Sequence, residues 1–247
     1  MSKKFSEISV LGINFIKADA KQFLKQIYQD SQEHKNRFIV TANPEIVLTS
    51  RKSLHYAQTI SSADYTTADG IGIIKGAQIL GTPLPERITG YDTLLALLAF
   101  AARNHKRIFF LGAKPEVVKT AVHRIQQDYP AINICGWHDG YYQDEAIVAQ
   151  QIKDARPDFV FVALGFPKQE YFIAKYRNVA DAIWMGVGGS FDVLAGFTRR
   201  APKKWQEHHI EWLYRLLKDP SRFGRMMALP KYLTLVFCER LRKHKAH

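Results

Sequence analysis

The chain has 247 residues, of which 47% are hydrophobic and 23% are charged, a composition that supports a sizeable core and excludes an intrinsically disordered protein. This length suits one α/β domain, alone or with a small appendage. The formal net charge of +12 predicts an anionic partner, which could be a nucleic acid, a phosphorylated ligand or a membrane surface.

The cysteines and the apolar runs limit where the protein can work. Cys135 and Cys238 lie far apart and show no metal-ligand spacing, which favours reduced thiols in a cytosolic protein. The longest apolar run, residues 94–102, is shorter than the roughly 20 residues of a transmembrane helix. The amino-terminal residues lack the apolar segment of a secretory signal. We therefore expect a soluble or peripheral protein.

Short apolar runs alternate with helical segments over most of the chain. Continuous apolar runs are typical of parallel strands that are buried on both faces, and their alternation with helices predicts βαβ units. We therefore predict an α/β fold with a Rossmann-like, mostly parallel sheet flanked by helices. The predicted strands are residues 37–42, 107–111, 132–137, 159–164 and 182–187, and the predicted helices are residues 18–33, 70–80, 92–104, 115–128 and 144–155.

The composition changes near Arg199. Residues 199–247 carry 13 Lys/Arg and four Asp/Glu, which accounts for +9 of the net charge of +12. Aromatic residues such as Trp205 and Trp212 lie between these charges, so the segment is too apolar for a solvated basic tail. We expect it to fold as helices that dock either on an anionic surface or against the α/β core, two options that the sequence leaves open.

Helical periodicity supports this expectation. Residues 210–218 place their apolar side chains on one broad face of a helical wheel, and Pro220 and Pro230 are expected to separate shorter helical pieces. We therefore predict an α/β catalytic domain at residues 1–196 and a basic helical C-terminal appendage at residues 197–247.

Polar residues stand at the ends of the predicted strands, where ligands of an open parallel sheet bind. Thr41 and Asn43 would point into the crevice after the strand at residues 37–42, although Asn43 can equally be an ordinary helix N-cap before Pro44. Asp69 precedes a predicted helix, where a carboxylate can either cap that helix or act as a general base toward a sugar hydroxyl.

Further candidates follow later in the chain. Arg87 lies in a loop before a very apolar helix and is either a diphosphate clamp or a surface arginine. Gln169 follows a predicted strand and offers a donor and an acceptor to a sugar or base. Gly188 and Gly189 form a weak glycine pattern whose backbone N–H groups can approach phosphate, and Asp192 could bond a ribose hydroxyl.

Several motifs are absent from the sequence. It contains no G-x-G-x-x-G after a first strand and no G-x-x-x-x-G-K-[ST], which disfavours a dinucleotide oxidoreductase and a P-loop NTPase. It contains no D-x-D, and the nine histidines form no metal-ligand set. We therefore expect no cofactor, no metal site and a metal-independent reaction.

Eight sequence segments, taken in order, resemble the WecG/TagA/CpsF glycosyltransferase family. One of them, TANPEIV, is more similar to the teichoic-acid (TagA) branch than to the WecG branch. The eight lie between about residues 10 and 235 and are TANPEIV, ADGIGI, RITGYD, FFLGAKPEV, GFPKQE, GVGGSFDVLAG, RRAPKKWQ and EWLYRLLKDPSRFGR.

The resemblance implies an inverting, UDP-sugar-dependent hexosyltransferase of wall teichoic acid linkage-unit synthesis, and so of cell wall biogenesis. It would move N-acetylmannosamine from UDP-ManNAc to undecaprenyl-diphosphate-linked GlcNAc in a β-1,4 linkage. It would act as a peripheral protein on the anionic inner face of the plasma membrane. The oligomeric state stays open, with a homo-oligomer among the options.

The resemblance also assigns roles to residues. By match to the family motifs, Asp69 would be the catalytic base. The other matched positions would bind substrates: Thr41, Asn43, Arg87 and Gln169 in the acceptor and donor pocket, Gly188, Gly189 and Asp192 at the UDP, and Arg215, Arg222 and Arg225 at the diphosphate.

Other functions remain as alternatives. The same fold could use UDP-ManNAc uronic acid or UDP-glucose for another surface polysaccharide. A nucleic-acid-binding protein would fit the net charge of +12, but no RNA or DNA motif appears and the charge is concentrated in one amphipathic segment. A non-catalytic membrane scaffold would bind anionic vesicles without turning over a UDP-sugar.

Overall fold

The computed structural model describes residues 5–202, 204–205, 211–218 and 223–245, without the side chains at 215, 225 and 243–245. At its centre lies a six-stranded sheet in the order β4-β3-β8-β7-β5-β6, with parallel pairing throughout, so the predicted α/β fold is confirmed. A separate antiparallel hairpin, β1–β2, precedes it. The strands are β1 (Glu7–Val10), β2 (Ile13–Ile16), β3 (Arg37–Ala42), β4 (Tyr65–Ala68), β5 (Arg107–Gly112), β6 (Asn133–His138), β7 (Phe159–Ala163) and β8 (Ile183–Gly186).

Helices flank both faces of the sheet and make up the described part of the chain after residue 203, as predicted for the appendage. Among the described residues, no helix is both long and apolar enough to span a bilayer. The helices are α1 (Ala20–Gln32), α2 (Pro44–Lys52), α3 (Leu54–Ser61), α4 (Ile71–Ile79), α5 (Gly90–Arg103), α6 (Pro115–Asp128), α7 (Glu145–Ala155), α8 (Lys168–Tyr176), α9 (Ser190–Leu194), α10 (Glu211–Lys218), α11 (Phe223–Met226) and α12 (Ala228–Lys245).

Strand residues alternate between two hydrophobic cores, one on each face of the sheet. In β7, Phe159 and Phe161 pack into one core, whereas Val160 and Val162 pack into the other. Because side chains of a strand point alternately to opposite faces, a strand covered on both sides needs apolar residues at every position. This requirement explains the continuous apolar runs in the sequence.

The predicted strands did not include β4. Thr66 and Thr67 are buried, and β4 pairs with β3 in a parallel register that runs from Ile39 opposite Tyr65 to Ala42 opposite Ala68. The turn therefore begins only after β4. The hairpin β1–β2 was also not predicted.

The last helix, α12, packs against the α/β core at α2 and α4. Its side chains Tyr232 and Val236 are fully buried there. A side-chain carbon at Gly76 of α4 would overlap the Tyr232 hydroxyl, so the close approach of the two helices requires glycine at this position. The predicted break at Pro230 is wrong: Pro230 lies in the first turn of α12, where its missing N–H is tolerated, and the helices separate at Met227.

Candidate active site

The predicted site residues of the α/β domain lie at the carboxyl edge of the sheet. The helices that follow β3 and β8, α2 and α9, pack into opposite cores, and such divergence leaves a crevice at the strand ends. Asp69 directly follows β4, and the turn 186–189 follows β8. Because β3 alone separates β4 from β8, the two strands that lead to the acid and to the turn are about 10 Å apart in the sheet.

Asp69 is half-buried and is held by backbone groups from two elements. Its own N–H donates to the Ala42 carbonyl of β3 at 2.9 Å, and its Oδ2 accepts the N–H of Gly90, the first residue of α5, at 3.1 Å. The alternative in which Asp69 caps α4 is excluded, because the cap residue is Gly70 and no side chain caps that helix. The carboxylate is therefore oriented toward the start of α5.

Thr41 and Asn43 lie beside this acid, at the end of β3. A side-chain carbon at Gly90 would be 2.9 Å from Thr41 Oγ1, so the Thr41 hydroxyl packs against the start of α5. Asn43 is the N-cap of α2, and its Oδ1 accepts the Ile46 N–H at 3.0 Å. The N-cap interpretation of Asn43 is thus confirmed, and the cap also fixes this side chain at the crevice.

Arg87 connects the loop next to Asp69 with the appendage. Its side chain is only 16% exposed, which excludes an ordinary surface arginine, and its Nη1 lies 3.9 Å from Oε2 of Glu211 in α10. The appendage therefore reaches the same edge of the sheet as the acid.

A second ion pair at this edge was not predicted. Arg200 donates to both carboxylate oxygens of Asp92, at 2.6 and 2.8 Å, and lies over the Tyr91 ring. The Thr89 hydroxyl donates to the same carboxylate at 2.6 Å. Burial alone would raise the pKa of Asp92, but the hydrogen bonds from Arg200 and Thr89 outweigh it and lower that pKa. The pair ties the start of the appendage to the first turn of α5.

Gln169 lies beneath the turn that follows β8 rather than on the surface of the crevice. Its Oε1 accepts the Gly188 N–H at 3.0 Å, and its Nε2 donates to Glu170 at 2.7 Å. The Tyr56 hydroxyl lies 3.2 Å from the other oxygen of Glu170. Burial raises the pKa of Glu170 to about 7. The amide of Gln169 thus links the turn to a buried carboxyl group.

The turn itself places Gly188, Gly189 and Asp192 together. Gly188 has φ +50°, a left-handed conformation that favours glycine. A side-chain carbon at Gly189 would be 3.8 Å from Asp192 Oδ2, so this carboxylate lies beside the turn. The helix that follows, α9, has only five residues, and the N–H groups of Val187 and Gly188 already donate to the Val162 carbonyl and to Gln169 Oε1. Among the described residues of the turn, this leaves the Gly189 N–H as the candidate donor to a ligand.

Two of the three predicted arginines of the appendage lie on described helices. Arg215 is in α10 and Arg225 is in α11, but their side chains are outside the described part of the chain, as is the whole of Arg222. Other appendage side chains show large exposed apolar surfaces, and these are Trp212, Leu217, Phe223, Met227, Phe237 and Leu241.

Metal-ligating residues do not cluster in the described ranges: none of their His, Cys, Asp and Glu residues form a group of three that could hold an ion. Three residues that the structure places at or beneath this edge were missed by the sequence interpretation, and these are Glu170, Arg200 and Asp92. All three stand inside the motifs GFPKQE, RRAPKKWQ and RITGYD, so their positions were visible, whereas their partners were not.

The carboxyl edge of this parallel sheet carries a half-buried acid, a glycine turn and arginines. This arrangement suits the transfer of a sugar from a phosphorylated donor. The chain belongs to the glycosyl transferase WecG/TagA/CpsF family, whose model matches residues 8–246. It is therefore a glycosyltransferase.

Three bacterial relatives carry the same name, N-acetylglucosaminyldiphosphoundecaprenol N-acetyl-beta-D-mannosaminyltransferase. The relative from Bacillus spizizenii is 42% identical over 239 residues, covering 95% of this chain and 92% of its own. The relative from Bacillus subtilis is 40% identical over 237 residues, covering 95% and 93%. The relative from Staphylococcus aureus strain MW2 is 40% identical over 233 residues, covering 92% and 91%.

Proposed function

We propose that this chain transfers N-acetylmannosamine from UDP-ManNAc to undecaprenyl-diphosphate-linked GlcNAc, forming the β-1,4 linkage unit of wall teichoic acid. The observation that carries the proposal is the position of Asp69, half-buried and held by the Gly90 N–H, on the same sheet edge as the turn 186–189. The names of relatives at 40–42% identity supply the substrates.

The chemistry needs a base on one side of the transferred sugar and anion stabilisation on the other. Asp69 takes the proton of the acceptor 4-hydroxyl group while the oxygen of that hydroxyl bonds to the anomeric carbon of the donor sugar. At the same time the bond from the anomeric carbon to the UDP oxygen breaks. One displacement inverts the anomeric configuration. The strands that carry the acid and the turn are about 10 Å apart, and the donor sugar is proposed to lie over the end of β3 between them.

The leaving UDP carries the charge that develops in this step. The N–H of Gly189, with Asp192 at the ribose, forms its proposed site, and Arg87 faces the diphosphate. Gly188 contributes by shaping this turn, because its own N–H donates to Gln169. Arg215, Arg222 and Arg225 are proposed to add positive charge from the appendage. Thr41 and Asn43 complete the pocket at the end of β3. Gln169 supports the pocket from beneath through its hydrogen bond with Gly188. No metal ligand is required in this scheme, so turnover is expected to persist in EDTA.

The appendage is proposed to bring the enzyme to the cytoplasmic leaflet that holds the acceptor lipid. Residues 199–247 carry 13 Lys/Arg, and each basic residue near an anionic surface contributes about 1 kcal/mol. Exposed Trp212, Leu217 and Phe237 supply apolar contacts with the interface. This arrangement would make the protein peripheral on the inner face of the plasma membrane.

Product analysis tests the proposal. The enzyme is mixed with a short-chain lipid-diphosphate GlcNAc and, in separate arms, UDP-ManNAc, UDP-ManNAc uronic acid or UDP-glucose. Mass spectrometry identifies the product, and the one-bond coupling between C1 and H1 of the transferred sugar reports its anomeric configuration. A product only from UDP-ManNAc, with inverted configuration, supports the proposal; a product only from another donor contradicts the donor assignment.

Substitution of the acid tests the mechanism. Asp69→Asn keeps the shape and the acceptor for the Gly90 N–H but removes the base, so kcat is expected to fall by about 100-fold or more. The matched control is Asp144→Asn, because Asp144 is an exposed N-cap of α7 where asparagine caps equally well. Turnover of D69N close to that of the control would contradict the general-base role.

A further inference from the structure

A buried hydrogen-bond chain lies beneath the turn that follows β8. It runs from Tyr56 of α3 through Glu170 and Gln169 of α8 to the N–H of Gly188. Tyr56 is 0% exposed, Glu170 2% and Gln169 6%. Residues that lie 114 positions apart in the sequence therefore meet in one network under the proposed donor site.

Burying the Glu170 carboxyl group in this hydrogen-bond network costs free energy that a purely structural packing residue would not. A carboxyl group without a cation beside it loses its hydration on burial, and an apolar side chain of similar volume would fill the same space without that loss. The Glu170 carboxyl is hydrogen-bonded by the Gln169 amide, the Tyr56 hydroxyl and its own backbone N–H. These hydrogen bonds, rather than packing, distinguish the carboxyl group from an apolar side chain at this position.

A role for these hydrogen bonds follows from the chemistry of an amide side chain. Gln169 can present either its oxygen or its nitrogen to the Gly188 N–H, and only the oxygen accepts a hydrogen bond. An acceptor on Glu170 engages the Gln169 nitrogen at 2.7 Å and so directs the oxygen to Gly188. A side-chain carbon at Gly186 would be 2.7 Å from the Gln169 Nε2, so the amide is also closely packed against the end of β8.

We infer that Glu170 is a positioning residue, which fixes the orientation of Gln169 and thereby the conformation of the turn 186–189 that receives the donor diphosphate. Tyr56 supports it by engaging the second oxygen of Glu170. Neither side chain touches the substrate. The inference deepens the proposed function and rests on it for the identity of the ligand at the turn.

The test compares three variants of the full chain. E170L removes the hydrogen-bond acceptor and fills the buried space with an apolar side chain. E170Q keeps an acceptor for the Gln169 amide, and Y56F removes only the supporting hydroxyl. K175A is the matched control, because Lys175 is on the same helix α8 but its side chain is 62% exposed. Two quantities are measured for each: amide hydrogen exchange of the peptide spanning residues 183–192, and the KM and kcat for UDP-ManNAc.

E170L is expected to exchange the peptide about tenfold faster and to raise the donor KM about tenfold, since a buried hydrogen bond is lost at the turn. E170Q is expected to stay within about threefold of wild type in both quantities. Exchange and KM of E170L within about twofold of the K175A control would overturn the inference. Equal impairment of E170Q and E170L would overturn it as well.

Two safeguards keep the result interpretable. If E170L does not fold, Y56F decides, with about threefold faster exchange in support and unchanged exchange against. If the wild-type enzyme does not use UDP-ManNAc, the proposed function fails, whereas the exchange measurement still decides whether Glu170 holds the turn.

Discussion

The titration of Glu170 makes the stability of this protein depend on pH. Burial raises its pKa from an ordinary value of 4.5 to about 7. Between these values the unfolded chain has released the proton and the folded protein still holds it, so a rise in pH favours unfolding. Each pKa unit corresponds to about 1.4 kcal/mol. Wild type should therefore lose about 3 kcal/mol of unfolding free energy between pH 4.5 and pH 8 from this group.

Glu170→Gln removes this titration and keeps the hydrogen-bond acceptor. Its unfolding free energy relative to wild type is expected to rise by about 3 kcal/mol between pH 4.5 and pH 8, because only wild type must ionise a buried carboxyl. The assay is urea unfolding of both proteins at four or more pH values in this range. Glu116→Gln on the exposed surface of α6 is the matched control for a Glu→Gln change away from the buried network.

Other titratable groups near Glu170 do not produce the same result. Tyr56 contacts it, Tyr171 lies next to Tyr56, and the exposed His55 stacks on Tyr171 with ring centroids 5.0 Å apart. All three are present in both proteins, so their own titration cancels in the difference. A difference that stays constant within about 1 kcal/mol over the whole range would refute the assignment of a raised pKa to this carboxyl.

Three further predictions concern the start and end of the appendage. Tyr232→Phe removes a buried hydroxyl that has no hydrogen-bond partner in the described structure, so thermal unfolding should show about 1 kcal/mol of added stability; a loss would contradict this. Gly76→Ala should displace α12 and cost about 2 kcal/mol or more, seen as faster hydrogen exchange in residues 228–240; unchanged exchange would contradict the packing. Asp92→Asn should lower the unfolding free energy by about 1 kcal/mol at pH 7, because the pair with Arg200 is partly exposed, and the loss should vanish as the pH falls well below 3.8, where wild type also loses its carboxylate; a loss that persists there would refute the ion-pair explanation.

The strands of the central sheet could be predicted because they are buried on both faces and therefore consist of apolar runs. β4 could not be predicted, because its two threonines are typical of turns in the local sequence. Their burial depends on β3 and on the loop at residues 85–90, which are distant in the chain. Thr67 is fully buried and its hydroxyl lies 3.4 Å from the Ile88 carbonyl, a contact that local sequence does not encode.

The candidate site shows the same limit. The motifs identified the positions of Asp69, Arg87 and Gln169, but the partners that orient them come from distant parts of the chain. Gly90 is 21 positions from Asp69, and Glu211 is on a helix of the appendage. Only the packed structure brings such partners together, so the sequence could suggest which residues act but not what holds each one in place.

The position at which α12 packs on the α/β core has a practical consequence for enzymology. This helix packs on α2, which begins at the Asn43 cap, and on α4, which begins just after Asp69. A purification tag or carrier protein fused after α12 could disturb the packing of this helix on α2 and α4, and with it the positions of Asn43 and Asp69. Kinetic work on this enzyme is therefore better served by amino-terminal tags.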